Sequence, residues 1–248
     1  MKLRLHYYSD CEFFAGCENM LANFFMSDEL ATIADTCFTY RGSDQYERGF
    51  KQRVGKPVKC YPLRVIEPDS FVLKRKYNVT RMMSKLLTHL LLVRYWCLLW
   101  NTVIIWRHLG RSGPIDILHV NNGGFPGARS CMAAVFAARL RGVRRIVYVV
   151  NNMAVGYRPG RWLDYPFDCL LVACVDRFVT ASLSAGRQLT KVLALSPSRV
   201  VSIHNGVGLR AVTESAGDVL SRLSLPKGRP IFGVVAIMEE RKGHIYLL

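Results

Sequence analysis

The feature that most limits what this chain can fold into is the alternation of short apolar runs with longer segments of helical periodicity. Candidate strands occupy residues 3–9, 37–40, 58–63, 115–120, 145–150, 177–181, 200–204 and 231–237. Helix-length segments fall between them at 18–25, 45–53, 128–142, 163–174 and 184–193. Strands that alternate with helices build β-α-β units and a parallel sheet covered on its faces. The runs Ile-Val-Tyr-Val-Val after Arg145 and Ile-Phe-Gly-Val-Val after Pro230 are apolar without a break, as strands buried on both sides are. The sequence therefore reads as α/β, a Rossmann-like parallel sheet flanked by helices. Gly142 is placed to cap the helix over 128–142, and Pro126 and Gly127 to open it.

A stretch rich in glycine and proline between Asn205 and Arg229 marks a linker around a short helical segment at 218–223. It separates a first domain, 1–207, from 229–248, with 208–228 between them. The last segment holds one strand candidate. A single strand cannot bury two faces, so 229–248 reads as the start of an incomplete second Rossmann-like domain.

With 34 basic against 18 acidic residues the formal charge is +16. Such a surplus describes partners and not the fold. It suits nucleic acid, an anionic membrane surface or acidic small molecules. The eight cysteines are scattered, without a Cys-x-x-Cys pair or a histidine at metal spacing. They outline neither a disulfide framework nor a zinc site, so no metal is expected and a reducing, cytoplasmic compartment is. The opening Lys-Leu-Arg-Leu-His-Tyr-Tyr is too short an apolar core for a signal peptide and reads as a buried strand.

Half of the net charge sits in one acid-free segment between Ser70 and Ile115, on Lys74, Arg75, Lys76, Arg81, Lys85, Arg94, Arg107 and Arg111. The same segment carries three of the four tryptophans. Three readings stand. A membrane span needs about 20 apolar residues, and Arg94 and Asn101 interrupt the best window. A helix lying in the membrane interface would turn basic residues to anionic lipid and Trp and Leu to the tails. A pair of helices packed on the sheet would let Lys and Arg reach water. Nucleic acid is not indicated, because the charge peaks where apolar content does and no base-stacking motif accompanies it.

Five loops could carry chemistry. The first, 9–18, places Gly16 between a strand end and a helix start, where backbone can approach a phosphate or sugar. The second, 119–128, follows a buried strand with Asn121, Asn122 and three glycines, yet lacks the spacing of a dinucleotide fingerprint. Asn151 and Asn152 end the next strand. Ser202-Ile203-His204-Asn205-Gly206-Val207 and Glu239-Glu240-Arg241-Lys242-Gly243-His244 follow. Taken singly, each also fits an ordinary turn or solvated loop.

In this order the loops resemble glycosyltransferase family 4, the retaining enzymes of the GT-B fold. The resemblance rests on Ala15-Gly16-Cys17-Glu18, on 116–123, on 175–182, on 202–207 and on Arg241–His244, and so covers nearly the whole chain. It implies a transferase, hexosyltransferase in type, that uses a nucleoside-diphosphate sugar as donor substrate and no cofactor. The acceptor would be lipid-linked or a glycan, the product a cell-surface polysaccharide. Lys242, with Gly16, would bind the donor diphosphate, and Asn121, Asn122, Asn151 and Asn152 would line the acceptor cleft. Asn205 and Gly206 would form the interdomain hinge. The catalytic group itself is not identified.

This sequence departs from the family where Ile237 replaces an arginine, Ala15 a glycine, and Asn151 or Asn152 a histidine. The paired carboxylates expected to hold sugar and ribose find no match within 1–248. The chain by itself is therefore expected to be an inactive fragment, peripheral to the inner face of a membrane that it meets through about 74–111. The reading from another class is a non-catalytic α/β accessory module that binds membrane or protein.

Overall fold

The computed structural model describes residues 2–14, 16–71, 82–83, 86–87, 92–206, 212–226, 228–236, 238 and 240–246. Ala15, Val207, Ile237 and the basic Lys74, Arg75, Lys76, Arg81 and Lys85 lie outside them, as does the side chain of Arg241. The chain divides into two compact units, Met1–Gly206 and Val207–Leu248.

The first unit is built on a parallel sheet of seven strands in the order β3-β2-β1-β4-β5-β6-β7. The strands are β1 (Leu3–Ser9), β2 (Ala34–Arg41), β3 (Lys59–Leu63), β4 (Ile117–Asn122), β5 (Arg145–Val150), β6 (Arg177–Thr180) and β7 (Val200–Ser202). Between them run α1 (Gly16–Met26), α2 (Asp28–Ile33), α3 (Asp44–Arg53), α4 (Val93–Leu109), α5 (Arg129–Leu140), α6 (Tyr165–Cys174) and α7 (Leu183–Leu193). Each strand expected in this unit is present, and the ends move by a few residues. The short α2 has no apolar stripe and buries none of its residues. Only its N-cap betrays it, Ser27 accepting from the Leu30 amide at 3.1 Å.

Side chains alternate across the sheet, and two cores result. Tyr7 joins Leu21, Phe25, Phe38 and Tyr46 under α1 and α3. Its neighbour Tyr8 joins Leu118, Val120, Ile146, Tyr148 and Phe178 under α5. Right-handed crossovers explain the division: winding from β1 toward β3 and from β4 toward β7 puts the helices on opposite faces. Helix α5 lies between the sheet and α4, so every residue from Ser130 to Ala138 is buried. It ends in a Schellman motif around Gly142, at φ +76°, with the Val143 amide on Ala138 O and the Gly142 amide on Arg139 O. Its start differs from expectation. The cap is Ala128, and Pro126 precedes it with a cis peptide bond.

Among the three readings of the basic segment, the inner face of α4 follows the packed one. Tyr95, Leu98, Thr102, Ile105 and Leu109 are buried, and Asn101 exchanges two hydrogen bonds with the backbone of Ile66. Among the described residues no helix is long and apolar enough to cross a membrane. The outer face of α4 is another matter: Trp96, Leu99, Trp100 and Val103, one stripe at helical spacing, are exposed.

In the second unit, helix α8 (Ala216–Arg222) is capped by Ser215. The strand expected at 231–237 is absent where it is described: 231–236 form no regular element, and Phe232 and Val235 stand exposed. A lone extended segment has no ladder to join, and without one its apolar residues have nothing to bury against. Two single-turn 3₁₀ segments follow, Glu240–Lys242 and His244–Tyr246.

Candidate functional site

Strand order reverses between β1 and β4, and the carboxyl ends of those two strands open the crevice in which ligands of such sheets bind. Three segments meet there. Ser9 ends β1, Gly16 and Glu18 open α1, and Asn121 and Asn122 end β4. A Cβ on Gly16 would meet nothing within 4 Å, so packing within the protein does not require glycine there.

Glu18 is the centre of this arrangement. It is 1% exposed. Its Oε1 accepts from Ser9 Oγ at 2.7 Å and Asn121 Nδ2 at 3.0 Å, and its Oε2 accepts from the hydroxyl of Tyr46. Burial pushes its carboxyl above the ordinary range, and the hydrogen bonds from Tyr46, Ser9 and Asn121 oppose the shift. A first-turn glutamate is ordinarily a solvated partner of the helix dipole. Here α3 and β4 close over it. Its place two residues after Gly16 was the one sequence signal, and charge type alone gave it no role.

The four asparagines divide. Asn121 points to the α1 side, donating to Glu18 and accepting from Asn151 Nδ2 at 2.9 Å. Asn122, one residue on, faces the other way. Its amide donates to Tyr148 Oη at 2.7 Å and Pro126 O at 3.2 Å, and its carbonyl oxygen accepts from the Ala128 amide at 3.2 Å. It is 2% exposed and shapes the turn into α5, so the structure does not place it with the others on the cleft. Asn151 is half-buried beside Asn121, and exposed Asn152 donates to Gly123 O at 2.6 Å.

A groove of about 510 Å³ continues from this rim along the sheet face that α1 leaves bare. Met20 and Phe24 of α1 form one wall, Val147, Val149, Val179 and Ile203 the floor, and Asn121, Asn151, His204, Asn205 and Gly206 stand along it. His119 lies under the wall, its ring 4.8 Å from that of Tyr7 and 5.5 Å from that of Phe24. Desolvation lowers it to about 4, so it is neutral near pH 7 and offers a donor and an acceptor. It was not among the expected site residues.

On the other side of the rim, Arg41 gathers Asp10 at 3.6 Å, Glu12 at 2.7 Å and Glu67, while Ser130 donates to Asp10. Lys242, in the second unit, is exposed on its 3₁₀ turn, and Gly243 follows at φ +70°. Within the first unit the chain offers amides, carboxylates and a neutral imidazole, a set suited to hydroxyl-rich ligands.

Solved structures share this architecture. A glycosyltransferase from Rickettsia africae aligns over 92% of this chain and 51% of its own, with a TM-score of 0.60 and 10% identity. Anabaena Alr3699/HepE, solved in complex with UDP-glucose, aligns over 90% and 49% with a TM-score of 0.55 and 7% identity. A UDP-N-acetylglucosamine 2-epimerase aligns over 83% and 49% with a TM-score of 0.54 and 12% identity. At these identities the likeness is one of fold, and the chain spans about half the length of these structures. No curated protein sequence matches the chain. Residues 43–206, from the cap of α3 through the last residue of the groove, match the glycosyl transferase 4-like domain. This chain belongs to that glycosyltransferase family.

Proposed function

We propose that this chain is the acceptor-side half of a transferase that moves a sugar from a nucleoside diphosphate to a lipid-linked or glycan acceptor, with retention, in cell-surface polysaccharide synthesis. The observation that carries the reading is the polar rim at the reversal point: Asn121 and Asn151 lie inside the span that matches the family and are hydrogen-bonded to each other, and Glu18, N-terminal to that span, holds Asn121. Lys242 would neutralise charge on the departing diphosphate. The hinge role of Asn205 and Gly206 fits their place at the end of the first unit. The exposed stripe of α4, with Arg107 and Arg111 exposed beyond it, supports docking on the inner face of a membrane, where a lipid-linked acceptor would lie.

The paired donor-side carboxylates are missing from 1–248, so these residues alone are expected to be inactive. The test uses a longer chain that joins them to a donor-binding half. Transfer from a panel of nucleoside-diphosphate sugars to membrane lipid extract should keep the donor's anomeric configuration and be lost in Lys242→Ala. Equal turnover in Lys242→Ala would remove that role. An empty panel would favour the accessory-module reading.

A further inference from the structure

Cys11 and Cys17 flank the turn between β1 and α1, six positions apart, a spacing that matches no common motif. In the fold their sulfurs and a Glu18 carboxylate oxygen lie within 4.8 Å of one another. Both cysteines are half-buried, so each keeps some access to solvent. The carboxylate is already occupied: Oε1 accepts from Ser9, Asn121 and, at 3.8 Å, the Cys17 thiol, and Oε2 from Tyr46. Four protein donors leave it poorly placed to complete a metal site. The reactive part of the cluster is the pair of sulfurs.

Their surroundings favour nucleophilic chemistry. Cys17 is the second residue of α1, where unpaired amides and the helix dipole favour negative charge. In the fold the Cys17 thiol donates to Glu18 Oε1 at 3.8 Å, and the adjacent Cys17 thiol holds Cys11 below the usual cysteine range, against burial and the nearby Glu18. Cys17 directs its proton at the Glu18 carboxylate and is raised by the Cys11 thiol, burial and Glu18, so Cys11 is the attacking sulfur.

We propose that Cys11 and Cys17 form a reactive dithiol, a modification site for low-molecular-weight disulfides of the glutathione class. The Cys11 thiolate attacks one sulfur of oxidised glutathione, breaks its S–S bond and releases a glutathione thiolate, which takes up a proton. Cys17 then loses its proton and attacks the Cys11 sulfur of the mixed disulfide. The second glutathione thiolate leaves and is protonated. Two protein thiols are oxidised to one disulfide, and one glutathione disulfide is reduced to two thiols. The product ties the loop after β1 to the first turn of α1, beside Gly16. The linkage does not depend on the transfer reaction, so it stands or falls apart from that reading.

The test is redox equilibration of the 248-residue chain. The protein is held in buffers of reduced and oxidised glutathione, quenched with acid, alkylated, digested and mapped by mass. A Cys11–Cys17 peptide two hydrogens lighter than its reduced form is expected, with two fewer of the eight thiols open to alkylation. Cys17→Ser should instead accumulate glutathione on Cys11, since the resolving sulfur is gone. Circular dichroism checks that each sample remains folded. Separate alkylation of Cys11 and Cys17 in every buffer that oxidises a thioredoxin-type control overturns the proposal. So does a linkage that forms only in urea.

Discussion

Asn121 Nδ2 donates to Glu18 Oε1 across 3.0 Å, joining the end of β4 to the first turn of α1 where the strand order reverses. The same asparagine accepts from Asn151, so the contact extends to the end of β5. One buried carboxylate thus fixes the orientation of two rim amides. Their direction into the crevice depends on a residue that is itself out of reach of solvent.

Replacing Glu18 should therefore destabilise the first unit. Glu18→Ala leaves Ser9, Tyr46 and Asn121 without their acceptor, and an orphaned buried donor costs about 1–3 kcal/mol. Some of this is offset because the carboxylate is no longer desolvated. A net loss of about 3 kcal/mol is expected. Glu18→Gln keeps one acceptor oxygen and offers an amide to the Tyr46 hydroxyl, so it should cost less. Urea unfolding followed by circular dichroism ranks the two. Equal costs would contradict the hub assigned to Glu18.

The neighbouring pairs of asparagines make a sharper contrast. Asn122→Ala removes the partner of Tyr148, Pro126 and Ala128 at a buried position, and about 2 kcal/mol should be lost. Asn152→Ala lies on the surface and should stay within about 0.5 kcal/mol of the parent. Gly127→Ala should also be costly, since φ is +59° and a Cβ would stand 2.2 Å from Asn122 Oδ1. Denaturant midpoints at matched slopes measure all three.

Much of the sheet was legible because its strands are apolar on both faces, and unbroken runs such as 145–150 have few other uses, although one face of that run, Val147 and Val149, is only half-buried as the floor of the groove. Site residues were less so. Asn121 and Asn122 are chemically identical, and period-two alternation sends only one of them to the α1 side. That choice follows from which face each helix covers, a property of the crossovers and not of the loop. Glu18 and His119 were passed over for a related reason. Their importance lies in burial by distant segments, α3 and β4 for the one, Tyr7 and Phe24 for the other. The strand at 231–237 failed in the opposite way: its local pattern is right, but no partner strand is present among the described residues of that unit.

Acid sensitivity should trace in part to His6. It is 1% exposed, its Nε2 is 2.9 Å from Thr39 Oγ1, and burial, then the nearby His108, lowers it to about 3. The unfolded chain takes up this proton near pH 6.5 and the folded chain does not. Stability from this group is complete above pH 6.5 and is lost as pH falls toward about 3. At most one proton is involved, which gives about 2 kcal/mol between roughly pH 6 and pH 4.5. His6→Gln keeps a contact to Thr39 and does not titrate. Its urea midpoint should fall less over that interval than the parent's; parallel curves would rule His6 out as a source.

The outer face of α4 gives the last prediction. Trp96, Leu99, Trp100 and Val103 lie on one stripe, and all four are exposed. The 3₁₀ segment Pro159–Asp164 abuts the start of that helix, through Arg94 on Gly160 O and Tyr95 on Asp164, and it exposes Trp162 and Leu163. A patch of this kind is rare on a monomer that has no partner for it. The exposed Arg107 and Arg111 lie beyond the stripe, and no acidic residue falls between 70 and 115 to oppose them. This pairing of apolar and cationic groups suits an anionic lipid surface more than a second protein, whose matching patch would have to be acidic and apolar at once. Sedimentation with phosphatidylserine-containing vesicles should carry the chain down, and pure phosphatidylcholine should do so weakly. Burying a large apolar side chain contributes about 1.5–3 kcal/mol. The double variant Trp96→Ala, Trp100→Ala should therefore lose at least about tenfold in partitioning, while its circular dichroism stays unchanged because neither side chain is part of the core. If the parent and the double variant bind vesicles equally, the stripe is not the lipid-facing surface. If binding vanishes in high salt but ignores the tryptophans, contact with lipid is by charge alone and the helix does not enter the interface.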